Sequence, residues 1–243
     1  MLVTGSKGFI GSRLIKKLEK LKFEVVSFDD DYFLIDNWRE ELIKRLEDNQ
    51  IRTIFHVGAC SNTLESNVQL MFERNYESTK VISDWSNINK ANLIYSSSAA
   101  NYGINSNYPS NLYGWSKYVA EDYVIKNSGI ALRYFNVYGP GEENKGSMAS
   151  FVYQSFLKTE NGEKIFLFQK NPKRDFIFID DVIDANLFAM SYFNELPKKY
   201  YEVSTGEAHS FEEMLSNFGI EFEYAPLSAI PIGYQFYTSG NPA

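Results

Sequence analysis

A tyrosine and a lysine lie four residues apart in the segment "SNLYGWSKYVAED", at Tyr113 and Lys117. Residues four apart share one face of a helix, so a helix over this segment would place the two side chains together. A free tyrosine has a pKa of about 10 and is a poor base at neutral pH, but a nearby ammonium favours its phenolate and lowers that pKa. The spacing therefore predicts a proton-transfer pair, with a chance pair on a helix surface as the alternative.

Three serines precede this pair in the segment "SSSAANYG", which follows a predicted strand. Ser96, Ser97 and Ser98 each carry a hydroxyl that could hold a substrate oxygen while Tyr113 exchanges its proton. The serines make a catalytic role for the Tyr113–Lys117 pair the favoured interpretation.

A second lysine lies in the glycine-rich segment "GPGEENKGSMAS", residues 139–150. Two acidic residues precede Lys145, and an apolar stretch that predicts the start of a helix follows it. Lys145 is a solvated surface charge, a charge that neutralises a diphosphate, or an amine held at a reacting carbon. Burial beneath a substrate would make proton exchange by a lysine feasible near neutrality, but the segment alone leaves the three roles open.

The N-terminal segment "TGSKGFIG" places Gly5, Gly8 and Gly11 between a predicted strand and a predicted helix. Glycines at these positions allow a tight turn, close approach of a pyrophosphate, and close packing of the helix on the strand. Free N–H groups at the start of the helix then favour a phosphate. We predict a dinucleotide-binding loop, in which Phe9 and Ile10 also contact the cofactor.

The identity of the dinucleotide depends on the charge at the end of the second strand. Asp29 follows Gly11 by 18 residues, near the spacing of about 20 expected for a carboxylate on the adenosine ribose. Asp30 stands beside it in "FDDDY", and the next basic residue is Arg39. These carboxylates would repel a 2′-phosphate and accept a 2′-hydroxyl, so we predict NAD, with NADP as the alternative.

Short β-rich runs alternate with helical patterns through the first two thirds of the chain. The predicted strands are Leu2–Thr4, Glu24–Phe28, Thr53–Val57, Leu93–Ser96 and Ala131–Phe135. The predicted helices are Phe9–Leu21, Trp38–Asp48, Asn67–Ile88 and Tyr113–Ile125. Strands that alternate with helices indicate βαβ units, so we predict an α/β fold with a doubly wound, Rossmann-like parallel sheet.

The last third of the chain is less regular. It contains predicted strands at Phe176–Ile179 and Tyr201–Val203 and a predicted amphipathic helix at Asp180–Phe193. We predict a dinucleotide-binding domain over residues 1–139. Residues 140–243 are predicted to form mainly a small substrate-binding lid over the carboxyl edge of the sheet, with some segments returning to the sheet.

Composition argues against several classes of protein. The 243-residue chain has a formal net charge of −7, which argues against a nucleic-acid partner. Its apolar runs are shorter than the roughly 18 residues that span a bilayer, and its start lacks a signal-peptide pattern. One cysteine excludes an intramolecular disulfide, and the spacing of His, Cys and acidic residues indicates no metal site. We expect a cytoplasmic protein without a membrane partner, in which His56 is a hydrogen-bonded core residue.

Taken in order along the chain, these motifs resemble the extended short-chain dehydrogenase/reductase family, in its nucleotide-sugar-modifying branch. The resemblance is carried by the glycine loop, "HVGACS" (56–61), "SSSAANYG" (96–103), the Tyr113–Lys117 pair and "RYFNVYGPG" (133–141). It implies that Ser98 is the catalytic serine, Tyr113 the acid/base, and Lys117 its partner at the nicotinamide ribose. It places further residues at the cofactor (Gly58, Ala59, Asn75, Val137) and one at the sugar nucleotide (Asn136). The family's usual subunit contact, through helices 67–88 and 113–125, implies a homo-oligomer.

Three further segments resemble the ADP-heptose 6-epimerases within that branch: "ENKGSMAS" (143–150), "KRDFIFIDDV" (173–182) and "GYQFYT" (233–238). The resemblance places four residues around an ADP-heptose substrate: Lys145, Ser147, Arg174 and Tyr234. The planar guanidinium of Arg174 suits a diphosphate, with an ion pair to Asp175 or Asp180 as the alternative. Such enzymes oxidise C6 to a ketone with bound NAD(P) and return hydride to the opposite face, which gives Lys145 the role of a second acid/base opposite Tyr113.

Other functions remain open at this point. Only 15 positions separate Ser98 from Tyr113, fewer than the family usually has, which keeps a 4-epimerase of a UDP- or GDP-sugar as an alternative. A 4,6-dehydratase is another, although "SSSAANYG" lacks the acid that dehydration needs. An inactive dinucleotide-binding regulator is disfavoured because Ser98, Tyr113 and Lys117 are all present. The heptose epimerases generally favour NADP, against the acidic "FDDDY".

Overall fold

The computed structural model describes residues 1–29, 35–104, 106–230 and 234–241. Its strands are β1 (Leu2–Thr4), β2 (Val26–Phe28), β3 (Thr53–His56), β4 (Asn92–Ser98), β5 (Ile130–Tyr134), β6 (Asn136–Tyr138), β7 (Phe166–Leu167), β8 (Lys173–Phe178), β9 (Tyr200–Val203), β10 (Ala208–Ser210) and β11 (Glu223–Tyr224). Six of them form a parallel sheet in the order β2-β1-β3-β4-β5-β9. The chain changes direction across the sheet between β1 and β3, where doubly wound folds bind ligands at the carboxyl ends of the strands.

Helices cover both faces of this sheet. The helices of the described residues are α1 (Phe9–Lys20), α2 (Trp38–Asp48), α3 (Val68–Phe72), α4 (Ser78–Asn89), α5 (Leu112–Lys126), α6 (Phe151–Glu160), α7 (Ile179–Ser191) and α8 (Phe211–Asn217). One core joins alternate strand residues to α1 and α7, and a second core joins the intervening residues to α2, α4 and α5. In β1, for example, Val3 packs in the first core and Leu2 in the second. The predicted doubly wound α/β fold is confirmed.

The helix predicted over Asn67–Ile88 is interrupted. Between α3 and α4 the chain forms a π-helical turn at Glu73–Glu77, which contains the buried Asn75. A π turn admits one extra residue per turn and is frequent at functional sites. Apolar periodicity does not reveal it, because the residues on either side of the turn keep a helical pattern. The Asn75 side chain is thereby aimed at the segment after β3.

The chain beyond β5 builds smaller sheets and also returns to the main one. β6, β8 and β10 form a three-stranded sheet, and β7 pairs with β11. β9 pairs with β5, and α7 packs in the core that contains α1. The two-domain division at residue 139 stays a prediction. Within the four described ranges, no helix is long and apolar enough to cross a membrane.

Candidate active site

The loop between β1 and α1 has close contacts that require glycine. Gly5 has a φ of +65°, and a Cβ there would lie 2.6 Å from the Cα of Gly58. A Cβ on Gly11 would lie 2.1 Å from the carbonyl oxygen of Gly5, whereas one on Gly8 would meet that oxygen at 3.2 Å. Gly8 is the N-cap of α1, so the helix begins with backbone N–H groups directed at this loop.

Asp29 lies beside the same loop. Its carboxylate accepts a hydrogen bond from the Ser6 hydroxyl and another from the N–H of Lys7 at 2.9 Å. The predicted ribose-binding carboxylate therefore lies at the glycine turn. Asp30 lies outside the described residues. Two other residues predicted at the cofactor pack at the start of α1 against the main core: Phe9 and Ile10.

A buried chain of hydrogen bonds connects the segment after β3 with the π turn. The N–H of Gly58 donates to Thr4 Oγ1 at 2.9 Å, and that hydroxyl lies 2.7 Å from His56 Nδ1. The other ring nitrogen of His56 lies 2.8 Å from Thr79 Oγ1, which donates to the Asn75 carbonyl at 2.7 Å. Burial lowers the pKa of His56 to about 3. His56 is a neutral, hydrogen-bonded core residue, as the sequence predicts.

Asn75 fixes the segment that includes the half-buried Ala59. Its side chain accepts a hydrogen bond from the N–H of Cys60 at 2.7 Å and donates to the Cys60 carbonyl at 3.0 Å. It also donates to Ser116 Oγ at 2.9 Å. Asn75 therefore connects a predicted cofactor segment directly to the helix that carries Tyr113 and Lys117.

Of the three adjacent serines, Ser98 is the one that bonds to Tyr113. The phenol of Tyr113, at the start of α5, is hydrogen-bonded to the Ser98 side chain. Ser97 instead donates to a buried carboxylate of α5 at 2.6 Å, and Ser96 lies 3.0 Å from a buried phenol of β5. The structure thus brings together the serine and tyrosine that the resemblance selects.

The electrostatics of Tyr113 differ from the sequence expectation. Burial raises the pKa of Tyr113 above its ordinary value, the Ser98 hydrogen bond acts in the opposite direction, and the Cys60 thiol adds to the rise. The expected lowering of this pKa by Lys117 is therefore not found, because burial of the phenol is the largest influence on it and Lys117 is not among the groups that shift it.

Lys117 is fully buried and lies against an aromatic ring. Its Nζ is 4.1 Å from the centroid of the Tyr95 ring. Burial lowers the pKa of Lys117 to about 7, while the Glu121 carboxylate acts to raise it. A lysine in this environment changes protonation state near neutral pH, in contrast to a lysine in water.

Lys145 lies against the predicted cofactor loop, residues 4–11, which includes the first turn of α1. Its Nζ is 4.7 Å from the centroid of the Phe9 ring and 2.9 Å from Oε2 of Glu142. Gly141 approaches the same ring, since a Cβ there would lie 3.5 Å from it. The Lys145 side chain is 26% exposed. A fully solvated surface charge, the simplest alternative for Lys145, does not describe this environment.

Arg174 is held by the chain near its C-terminus. It donates to the carbonyl of Gln235 at 2.5 Å, and its guanidinium carbon lies 5.4 Å from the centroid of the Tyr234 ring. Burial lowers the pKa of Arg174, and Tyr234 acts to raise it. The alternative ion pairs are not formed, because Asp180 pairs with Arg13 and the Asp175 carboxylate accepts from backbone and hydroxyl donors.

The remaining predicted residues serve the structure in different ways. The Asn136 side chain donates to the Asp175 carbonyl at 2.9 Å, so it connects β6 to β8. Val137 packs against the main core, and Ser147 is exposed in the 139–150 loop. None of these contacts by itself indicates a ligand.

Two buried carboxylates, Glu121 and Glu142, were not predicted as site residues from the sequence. Glu121 accepts hydrogen bonds from Arg133 at 2.5 and 2.8 Å and from Ser97, the residue next to Ser98. Glu142 accepts from Lys145 inside the glycine-rich loop. The sequence feature that could have identified both carboxylates is their spacing from a lysine. Glu121 follows Lys117 by four residues on α5, and Glu142 precedes Lys145 by three.

Comparison with known proteins agrees with this geometry. The chain matches the NAD dependent epimerase/dehydratase family over residues 1–204. A curated ADP-L-glycero-D-manno-heptose-6-epimerase from Brachyspira hyodysenteriae is 33% identical over 293 residues, covering 99% of this chain and 89% of the relative. The crystal structure of the Helicobacter pylori ADP-L-glycero-D-manno-heptose-6-epimerase has a TM-score of 0.80 at 30% identity, covering 92% of this chain and 84% of the other. The UDP-glucose 4-epimerase of Thermotoga maritima shares the fold, with a TM-score of 0.82 at 22% identity over 98% of this chain and 89% of the other.

The chain therefore belongs to the NAD dependent epimerase/dehydratase family. The prediction of an NAD-dependent enzyme is confirmed at this level. The described residues fit a dinucleotide: side chains are excluded where Gly5 approaches Gly58, α1 begins at the same loop, and the Asp29 carboxylate lies beside it.

Proposed function

We propose that this protein is a nucleotide-sugar epimerase that inverts C6 of an ADP-activated heptose. The observation that carries the proposal is a pair of candidate proton carriers on separate elements. Tyr113 on α5 bonds to Ser98, and Lys145 in the 139–150 loop lies against Phe9 of the cofactor loop. Two relatives named for this activity, at 33% and 30% identity, support the same substrate.

The glycine loop and Asp29 would hold NAD, which when bound would supply the redox chemistry of oxidation and reduction at C6. The chain's own groups hold and move the proton on the C6 oxygen. Since the ketone must turn over between the two steps, its oxygen meets a different group in each orientation. We assign Tyr113, supported by Ser98, to one orientation and Lys145 to the other.

Recognition of the diphosphate is assigned to Arg174. It provides a partly buried guanidinium on β8, fixed between the Gln235 carbonyl and the Tyr234 ring. A planar guanidinium can bind two phosphate oxygens at once, which orients the substrate as well as neutralising it. A positive charge fixed in this way is needed in a chain whose net charge is −7. Three further residues are proposed to line the substrate pocket: Asn136, Ser147 and Tyr234.

A 4-epimerase acting on a UDP- or GDP-sugar is the second candidate. It is favoured by the short connection from Ser98 to Tyr113, in which the Gly103 N–H bonds back to the Ser106 carbonyl at 3.0 Å. A tightly folded connection of this kind leaves more of the pocket open to a different sugar. A 4,6-dehydratase is less favoured, since "SSSAANYG" provides no acid to protonate a departing hydroxyl.

The test is incubation of the purified protein and NAD with ADP-heptose of a single C6 configuration, followed by proton NMR of C6. We expect a mixture of both C6 epimers. Inversion at C4 of UDP-glucose or GDP-mannose, with ADP-heptose unchanged, would contradict the C6 assignment in favour of the second candidate. Loss of a hydroxyl from the product would indicate a dehydratase, and stoichiometric release of NADH would indicate a dehydrogenase.

We also propose a homo-oligomer formed through α3, α4 and α5. Several apolar side chains of this part of the molecule are exposed: Val68, Ile88, Tyr108 and Trp115. Light scattering should give at least twice the 28.0 kDa mass of one chain. A monomer mass at micromolar concentration would refute this assembly.

A further inference from the structure

Glu142 is a fully buried carboxylate whose oxygens are each bonded twice. Oε1 accepts from the Ser150 hydroxyl at 2.7 Å and from the Gly139 N–H at 3.2 Å. Oε2 accepts from the Ser150 N–H at 2.6 Å and from Lys145 Nζ at 2.9 Å. One side chain therefore binds the first residue of the 139–150 loop, its last residue and its lysine.

A second buried carboxylate in this fold shows that hydrogen bonds from neutral groups can stabilise a buried carboxylate without a lysine. Asp175 is also fully buried and also accepts four hydrogen bonds. All of its donors are neutral: the N–H and hydroxyl of Thr205 and the N–H groups of Gly206 and Gly240. Since neutral donors suffice at Asp175, the ammonium at Glu142 points to a role beyond closing the loop.

The position of the ammonium supports this reading. A lysine carries four rotatable bonds, and holding its end group at one place costs side-chain entropy. The ion pair with a buried anion offsets that cost. If Lys145 moved away, the buried Glu142 carboxylate would lose its counter-charge in a low-dielectric site. The resulting ion pair holds Lys145 Nζ against the Phe9 ring of the cofactor loop.

We propose that Glu142 is a positioning residue that holds Lys145 at the reacting carbon. The inference rests on the proposed function, in which Lys145 exchanges a proton with the C6 oxygen. The carboxylate of Glu142 binds the end group of Lys145 directly, at 2.9 Å. Glu142 does not touch the substrate in this account. It determines where the Lys145 proton is presented.

The test compares three variants by kcat and KM for ADP-heptose epimerisation, with bound NAD measured in each. Glu142→Gln keeps the size of the side chain but removes the anion. We expect its kcat to fall at least about tenfold, with KM within about threefold, because Lys145 is displaced while the phosphate-binding groups are intact. Ser150→Ala is the matched control. It removes one donor to the same carboxylate, together with the hydroxyl that caps α6, and leaves the Lys145 contact, so kcat should stay within about threefold.

The outcomes separate the inference from the function on which it rests. Equal losses in Glu142→Gln and Ser150→Ala, or a loss confined to KM, would show that Glu142 only organises the loop. Normal turnover of Glu142→Gln beside an inactive Lys145→Met would reject the positioning role but keep Lys145 catalytic. Normal turnover of Lys145→Met would remove the catalytic assignment itself. If Glu142→Gln does not fold, Glu142→Asp, which retains the charge one methylene further from Lys145, should show the same fall in kcat alone.

Discussion

The two lysines of the proposed site are held in different ways. Lys117 lies within α5, fully buried, with its Nζ over the Tyr95 ring, and burial lowers its pKa to about 7. Lys145 lies in an irregular loop, keeps 26% of its side chain exposed, and pairs with Glu142. Packing of the core therefore controls Lys117, whereas a single carboxylate controls Lys145.

This difference has a consequence for mutations. Groups in the core around α1 and α5 are part of the packing that stabilises the fold and shapes the cofactor loop. Changes at the buried Lys117 or where α1 packs on the glycine loop should alter folding or NAD binding as well as turnover. Changes in the 139–150 loop should alter turnover while leaving folding and NAD binding nearly unchanged.

The largest effect is expected for Tyr113→Phe, which removes the ionisable oxygen and keeps the ring. Turnover should fall at least about a hundredfold, the lower range for loss of a general acid/base. NAD should remain bound, since the ring still packs at the start of α5. Tyr118→Phe on the same helix is the control and should retain turnover within about twofold. Near wild-type turnover of Tyr113→Phe would remove Tyr113 from the mechanism.

The next largest effect is expected for an alanine substitution at Gly11, compared with the same substitution at Gly8. In Gly11→Ala the new Cβ would lie 2.1 Å from the Gly5 carbonyl oxygen, a backbone atom that cannot move freely. We expect a loss of about 1–3 kcal/mol in the free energy of unfolding and NAD binding weakened at least about tenfold. Gly8→Ala, where the contact is 3.2 Å, should cost clearly less on both measures. Urea unfolding and NAD titration test this, and equal effects of the two substitutions would contradict it.

Lys117→Met should raise stability while it removes activity. The buried ammonium is disfavoured in the fold, as its lowered pKa of about 7 shows. Below pH 7 the folded and unfolded chains both carry the proton, so the full cost is present and the variant should be more stable by ~1–3 kcal/mol. The stability difference between variant and wild type should shrink from pH 7 towards 10.5. In this range Lys117 is protonated only in the unfolded wild-type chain, so the fold no longer contains the buried charge. Urea unfolding without added NAD is the measurement, since bound NAD would itself add stability, and a less stable variant at pH 7 would contradict the prediction.

The smallest effect is the acid sensitivity that comes from His56. Its pKa is lowered from 6.5 to about 3 by burial, so between these values the unfolded chain binds more protons than the fold. Stability is therefore lost as pH falls, by about 1 kcal/mol between pH 6.5 and 5.5. His56→Gln should show a correspondingly smaller change over this interval in urea unfolding. An unchanged pH dependence would show that other groups cause it.

The regular part of the molecule could be predicted from sequence. Hydrophobic runs and helical spacing located the strands of the main sheet within a few residues, and α2 at Trp38–Asp48 agrees at both ends. The Ser98–Tyr113 contact could also be predicted, because Ser98 ends a strand and Tyr113 lies at the start of a helix, and both elements have regular geometry. These features depend on residues close in sequence or on elements of regular geometry.

The rest depends on contacts that no local pattern encodes. The π turn at Glu73–Glu77 arises where the Asn75 side chain bonds to Cys60, which belongs to another segment. The raised pKa of Tyr113 comes from burial in the assembled core, and opposes the lowering expected from Lys117 alone. The bonds of Glu142 to both ends of its loop appear only once that loop has closed.

The central claim is that a tyrosine on α5 and a loop lysine act on one substrate, and Lys145→Met tests it most directly. Epimerisation of ADP-heptose and affinity for the ADP-sugar should be measured on the same preparation. The account predicts that epimerisation is abolished while affinity stays within about tenfold, a difference of about 1.4 kcal/mol. Survival of turnover with an increase in KM alone would contradict it, and would make Lys145 a phosphate ligand rather than an acid/base.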